Sequence, residues 1–160
     1  MKIDYMEMIK FYGKEIFKNK NFEKEKQFIQ HGTITVYEHS INVAILCLKI
    51  AKITNIPVDQ KSLIRGALLH DYFLYDWHEK DKTHRLHGFT HAKTALKNAE
   101  KDYKLTEIEK NMIYCHMFPL NLRIPKYRES VILCIADKIV ATIETIKPYI
   151  NILATYNEYI

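Results

Sequence analysis

The chain reads as an all-α protein, and three observations carry that reading. Its 160 residues are 48% hydrophobic. It contains only 4 Gly and 4 Pro, too few turn-formers to punctuate many short strands. Its apolar residues recur at intervals of three and four over most of its length. A chain of this size suits one domain over residues 1–160, with a core that needs no covalent staple.

Tyr5, Met8, Ile9, Tyr12, Ile16 and Phe17 predict a helix over 4–19, and a second short one is expected at 21–30. Thr35 with Glu38 has capping-box spacing, so a helix should start there and run to about Ile53. His39 lies on its apolar stripe with Val36, Val43, Leu46 and Ile50. Asn55-Ile56-Pro57 interrupts the pattern, and residues 58–71 resume it, ending on His70-Asp71. Residues 72–86 mix aromatics and charges without a period, as expected of a loop folded over a helix end.

The next helix opens at His87, with His91 one turn later and Ala92, Ala95, Leu96 and Ala99 on its packed side. Thr106 and Glu109 form a second capping box, and Ile108, Met112 and His116 follow at intervals of four. Pro119 and Pro125 bracket a loop holding Arg123. Val131 to Ala136 is then an apolar run that ends in Asp137-Lys138, and residues 149–160 predict a closing helix.

The charge balance excludes some classes of function. A net charge of +5 is modest, and its lysines lack the aromatic interleaving of a nucleic-acid surface, so no nucleic-acid duplex is expected as partner. No apolar run reaches the roughly 18 residues of a membrane span and no signal-like segment opens the chain, so a cytoplasmic protein is expected. Cys47, Cys115 and Cys134 are far apart in apolar stretches and read as reduced core thiols. Apolar terminal helices leave room for a homodimer.

Several helices deliver inward-facing imidazoles and carboxylates, and buried carboxylates must be paired, protonated or bound to metal. His39, His70, Asp71, His87, His116 and Asp137 therefore read as a metal site. Nitrogen and oxygen donors without paired thiols suit Fe, Mn, Co, Ni or Zn. Six protein donors exceed what one reactive ion needs, which points to two divalent ions with Asp71 as bridge and catalytic centre. His31, His78 and His84 read as surface residues.

In this order and spacing the chain resembles the HD-domain metallohydrolase superfamily over about residues 35–145. Leu-Leu-His-Asp at 68–71 and Ala-Asp-Lys at 136–138 look like its helix-borne motifs, and His87-Gly88 looks like the second-metal motif of its dinuclear members. The resemblance implies a bundle of five or more core helices with extra terminal helices. It implies His39, His70, Asp71 and Asp137 as the ligands most members share, and His87 and His116 as the additional ligands of dinuclear members, with Fe or Mn foremost.

Two departures stand out. Dinuclear relatives usually carry a small residue where this chain has His91, and a frequent lysine is replaced by Leu74. His87 is the expected ligand, with His91 supporting it or donating to a substrate phosphate. Lys138, Arg123 and Arg85 are further candidates for phosphate contact. The expected activity is hydrolysis of a nucleotide or related small phosphate ester. An HD-type diiron oxygenase and a non-catalytic metal-binding signalling module are the alternatives.

Overall fold

The computed structural model describes residues 4–76 and 87–157, with side chains for 4–76 and 90–147. The chain is all-α apart from one small hairpin. Helix α1 (Tyr5–Tyr12) starts where the Asp4 carboxylate accepts from the Met6 and Glu7 amides. It is separated at Gly13 from α2 (Lys14–Phe17), so the single helix expected over 4–19 is two. The corner is forced by close approach: a Cβ on Gly13 would lie 2.7 Å from both the Ile9 carbonyl and Leu68 Cδ1.

A second difference follows. Helix α3 (Lys20–Lys24) and a 3-10 turn at Glu25–Gln27 stop short, and β1 (Ile29–His31) pairs antiparallel with β2 (Ile34–Thr35). Gly32 takes the left-handed conformation that reverses the chain between them, at φ 59°. The hairpin feeds directly into α4 (Val36–Thr54), whose capping box between Thr35 and Glu38 is formed at both ends. Asn55, left-handed at φ 53°, ends α4 where the sequence breaks its pattern.

Helices α5 (Gln60–Leu69), α6 (His87–Asp102), α7 (Glu107–Cys115) and α8 (Arg128–Asn157) complete the bundle. Of the closing helix expected at 149–160, the described residues 149–157 are the continuation of α8, which runs unbroken through Pro148. Helix α4 packs on both α5 and α8, and α7 packs on α5, α6 and α8. Ile9, Val43, Cys47, Leu63, Leu68, Met112 and Leu133 are fully buried between them. All three cysteines are free and buried. Among the described residues no helix is long and apolar enough to cross a membrane.

Two contacts lock the helices that carry His70-Asp71 and His116. Gly66 lets α5 approach α7 so closely that a Cβ there would meet Met112 Sδ at 2.6 Å. Buried Arg65 donates through Nε to Glu109 Oε1 at 2.6 Å, while Glu109 Oε2 caps α7 by accepting from the Thr106 amide at 2.7 Å. On the opposite side, Val131, Ile135, Ile139, Ile143 and Ile146 form an exposed β-branched stripe along α8.

Candidate metal centre

Five elements converge on one buried cluster. Helix α4 brings His39 in its first turns, α6 brings His91, and α8 brings Asp137. His70 and His116 are the C-cap residues of α5 and α7, and Asp71 follows His70. All six side chains are buried, and His39 and His70 are entirely so.

The donor atoms fall into two groups, His39 with His70 and Asp137, and Asp71 with His91 and His116, each with its atoms within 4.8 Å of one another. Asp71 faces both. Its Oδ2 lies 3.4 Å from His70 Nε2 and 3.9 Å from His39 Nε2, while Oδ1 lies 3.3 Å from His91 Nε2 and 3.4 Å from His116 Nε2. Asp137 Oδ1 sits 3.2 Å from His39 Nε2 and 3.6 Å from His70 Nε2.

Hydrogen bonds on the outer side of three rings decide which nitrogen faces inward. His70 Nδ1–H donates to the Ala67 carbonyl at 2.7 Å, and His116 Nδ1–H donates to the Ile113 carbonyl at 2.8 Å. Helix geometry makes both bonds local, since the acceptor lies three residues back on the same face. His39 Nδ1–H donates instead to Glu144 Oε2 at 2.7 Å, and Asn42 Nδ2 donates to the other oxygen of that carboxylate at 2.9 Å. With Nδ1 committed outward, Nε2 is the nitrogen each ring turns to the cluster, where a metal ion would take the place of any second proton.

Without an ion the cluster is poorly satisfied. His70 Nε2 and Asp71 Oδ1 are buried and lack hydrogen-bond partners. His91 and His116 bring their Nε2 atoms to 2.8 Å. Because the His116 Nε2 is a lone pair, a proton on His91 must occupy that gap. Two orphaned buried donor atoms and two opposed imidazole nitrogens are what a cation would satisfy, so the residues fit divalent ions.

The electrostatics agree with a proton standing in for positive charge. Burial alone would lower the His39 pKa, yet its bonds to Asp137 and Glu144 and the charge on Asp71 push it up to about 10. Burial raises Asp71 and Asp137, but neighbouring imidazoles outweigh it and hold both carboxyls below their ordinary range. Burial keeps His116 below its usual value.

The HD domain family model matches residues 36–142. That span is more than half of the chain and contains both donor groups. The chain belongs to the HD domain family. No match was found to a curated protein or to a solved structure. The HD domain defines a superfamily of metal-dependent phosphohydrolases, and this HD domain holds two His/Asp groups able to bind metal.

The other sequence candidates differ in what the structure shows of them. Arg85 lies outside the described residues, and so does the side chain of His87, whose backbone opens α6. His91, expected as a supporting residue, has its Nε2 in the second donor group. Lys138 Nζ donates to the His116 and Cys134 carbonyls at 3.0 and 3.3 Å, tying α8 to the end of α7. The Arg123 guanidinium stacks 3.7 Å over the Tyr114 ring, and its Nη1 has no hydrogen-bond partner.

Three neighbours of the cluster escaped the sequence reading. His31, read as a surface residue, is half-buried on β1 and packs edge-on against His39, ring centroids 5.3 Å apart. Gln30 Nε2 donates to Asp71 Oδ2 at 2.5 Å. Glu144 had a usable signal, because it lies seven residues after Asp137, two turns along the same face of α8. Gln30 had none: alternation over three residues is too short to read.

Proposed function

We propose that this HD domain is a dinuclear metal-dependent phosphohydrolase acting on a nucleotide or related small phosphate ester. The observation that carries the reading is the position of Asp71, whose two oxygens face separate donor groups. Such a carboxylate can hold two divalent ions side by side, Fe or Mn foremost, with His39, His70 and Asp137 on one side and His91 and His116 on the other. When bound, the ions supply an activated water and neutralise phosphoryl charge.

The chain's own groups do the rest. The backbone carbonyls of Ala67 and Ile113, with Glu144, keep three imidazoles turned so that Nε2 faces the reacting centre. His91 stands in the second group, and the expected ligand His87 has its side chain outside the described residues. Arg123, with an unused N–H, and Arg85 are the cations we assign to substrate phosphate, because guanidinium matches phosphate geometry. Lys138 acts through the His116 carbonyl it holds.

The test is metal analysis of anaerobically purified protein beside a phosphate-ester screen, repeated with Asp71→Ala. The variant should lose bound metal and at least a hundredfold of activity. Retention of both would refute the reading, and dioxygen consumption without phosphate release would replace it with diiron oxygenase chemistry.

A further inference from the structure

Two side chains that touch the donor cluster from outside lie beyond the span that the family model matches. Gln30, on β1, precedes residues 36–142, and Glu144, on α8, follows them. Both are buried, Gln30 7% exposed and Glu144 6%. Each is bonded to a donor from a different group: Gln30 Nε2 to Asp71 Oδ2, and Glu144 Oε2 to His39 Nδ1.

We propose that Gln30 and Glu144 are positioning residues for the metal centre, Gln30 setting the Asp71 carboxylate between the two donor groups and Glu144 setting the His39 ring. The inference rests on the reading of this cluster as a metal site. For Asp71 the geometry is a division of labour between oxygens. The Gln30 amide occupies one lone-pair direction of Oδ2, which fixes the carboxylate plane and leaves Oδ1 directed at His91 and His116. For His39 the support is anionic, whereas His70 and His116 lean on neutral carbonyls. A carboxylate behind an imidazole makes it a stronger donor than a carbonyl does.

Glu144 is itself held. Asn42, three residues after His39 on α4, donates to its second oxygen, so the ring and its carboxylate partner are clamped by the same helix. The hairpin has the matching role at the other group, since β1 and β2 join to α4 and aim Gln30 at the cluster. Elements flanking the family-matched span thus carry part of its metal chemistry.

The test is Co(II) binding to chelator-treated protein, followed by its absorption spectrum and by equilibrium dialysis, for Gln30→Leu, Glu144→Leu, the near-isosteric Glu144→Gln and the one-methylene-shorter Gln30→Asn. Loss of such an outer partner costs roughly 10- to 100-fold in metal affinity. Glu144→Leu should fall near the upper end and Glu144→Gln near the lower, since the amide oxygen still accepts from Nδ1. The metal-free variants should melt close to wild type, and Lys147→Ala, an exposed neighbour on α8, should bind Co(II) as wild type does. Should the leucine variants fail to fold, Glu144→Gln and Gln30→Asn decide.

Affinity within threefold of wild type in the folded variants overturns the inference. So does a loss of affinity no larger than that of Lys147→Ala. Wild-type protein that binds Co(II) but hydrolyses no phosphate ester would remove the proposed activity and leave this inference standing.

Discussion

Glu25 is the residue whose energetics run most against its surroundings. It is fully buried in the 3-10 turn, and neither carboxylate oxygen has a hydrogen-bond partner. Burial, and then the charge on Asp71, raise its pKa well above the ordinary carboxylate value. The folded state therefore holds a proton that the unfolded chain releases, and stability falls as pH rises from the unfolded value toward the folded one. Below the unfolded value the penalty is absent. Glu25→Gln should remove this slope and stabilise the metal-free protein at neutral pH by roughly 1–3 kcal/mol, because a neutral amide needs no proton taken up on folding. Urea denaturation at pH 5 and pH 8 checks it, and an unchanged slope would refute it. No pattern in the sequence marks Glu25, because it sits among exposed lysines and glutamates and is buried only by the chain reversal that follows. His39 and His116 were legible for the opposite reason, since each continues an apolar stripe.

At the scale of elements, α5 and α7 matter most, because their ends carry His70, Asp71 and His116. The buried pair Arg65 and Glu109 joins them, and Glu109 also caps α7. Leaving Glu109 buried without its partner should cost about 3–5 kcal/mol in Arg65→Met, measured by chemical denaturation. A double variant with Glu109→Gln should recover part of that loss, since the amide oxygen still accepts at the cap. Recovery of nothing would mean that the charge is not the cause. Helix existence, type and both capping boxes were readable from spacing. The break at Gly13 was not, because it comes from contact with Leu68 across the fold. Nor was the hairpin, whose strands of three and two residues are too short for alternation to show.

For the molecule as a whole, the bundle is organised so that five helices close on charge that they cannot neutralise alone. Ions that bind the folded state and not the unfolded one stabilise it by mass action, about 2.7 kcal/mol for an ion at 100 times its Kd. In a chain of this size each kcal/mol is worth roughly 2–4 °C. Mn(II) or Co(II) should therefore raise the melting temperature of chelator-treated protein by roughly 5–10 °C per ion, and Asp71→Ala should abolish most of the rise. A wild-type melting curve indifferent to metal would contradict the site. Five of the six clustered residues, with Asp71 between two ions, were readable in the chain, but His91 as a member of the second group was not. Which of His87 and His91 joins His116 depends on how α6 is rotated, and spacing along one helix carries no information on that.

The placement of His70 and His116 at helix C-caps has one more consequence. The aligned peptide dipoles of each helix gather about half a negative elementary charge at that end. Helices α5 and α7 both end at the cluster, so the backbone adds to its appetite for cations, and removing any one side chain leaves that field in place. An incoming anion meets repulsion from the same two termini until cations have reversed it. For the phosphohydrolase proposed above, this main-chain field favours metal binding before phosphate.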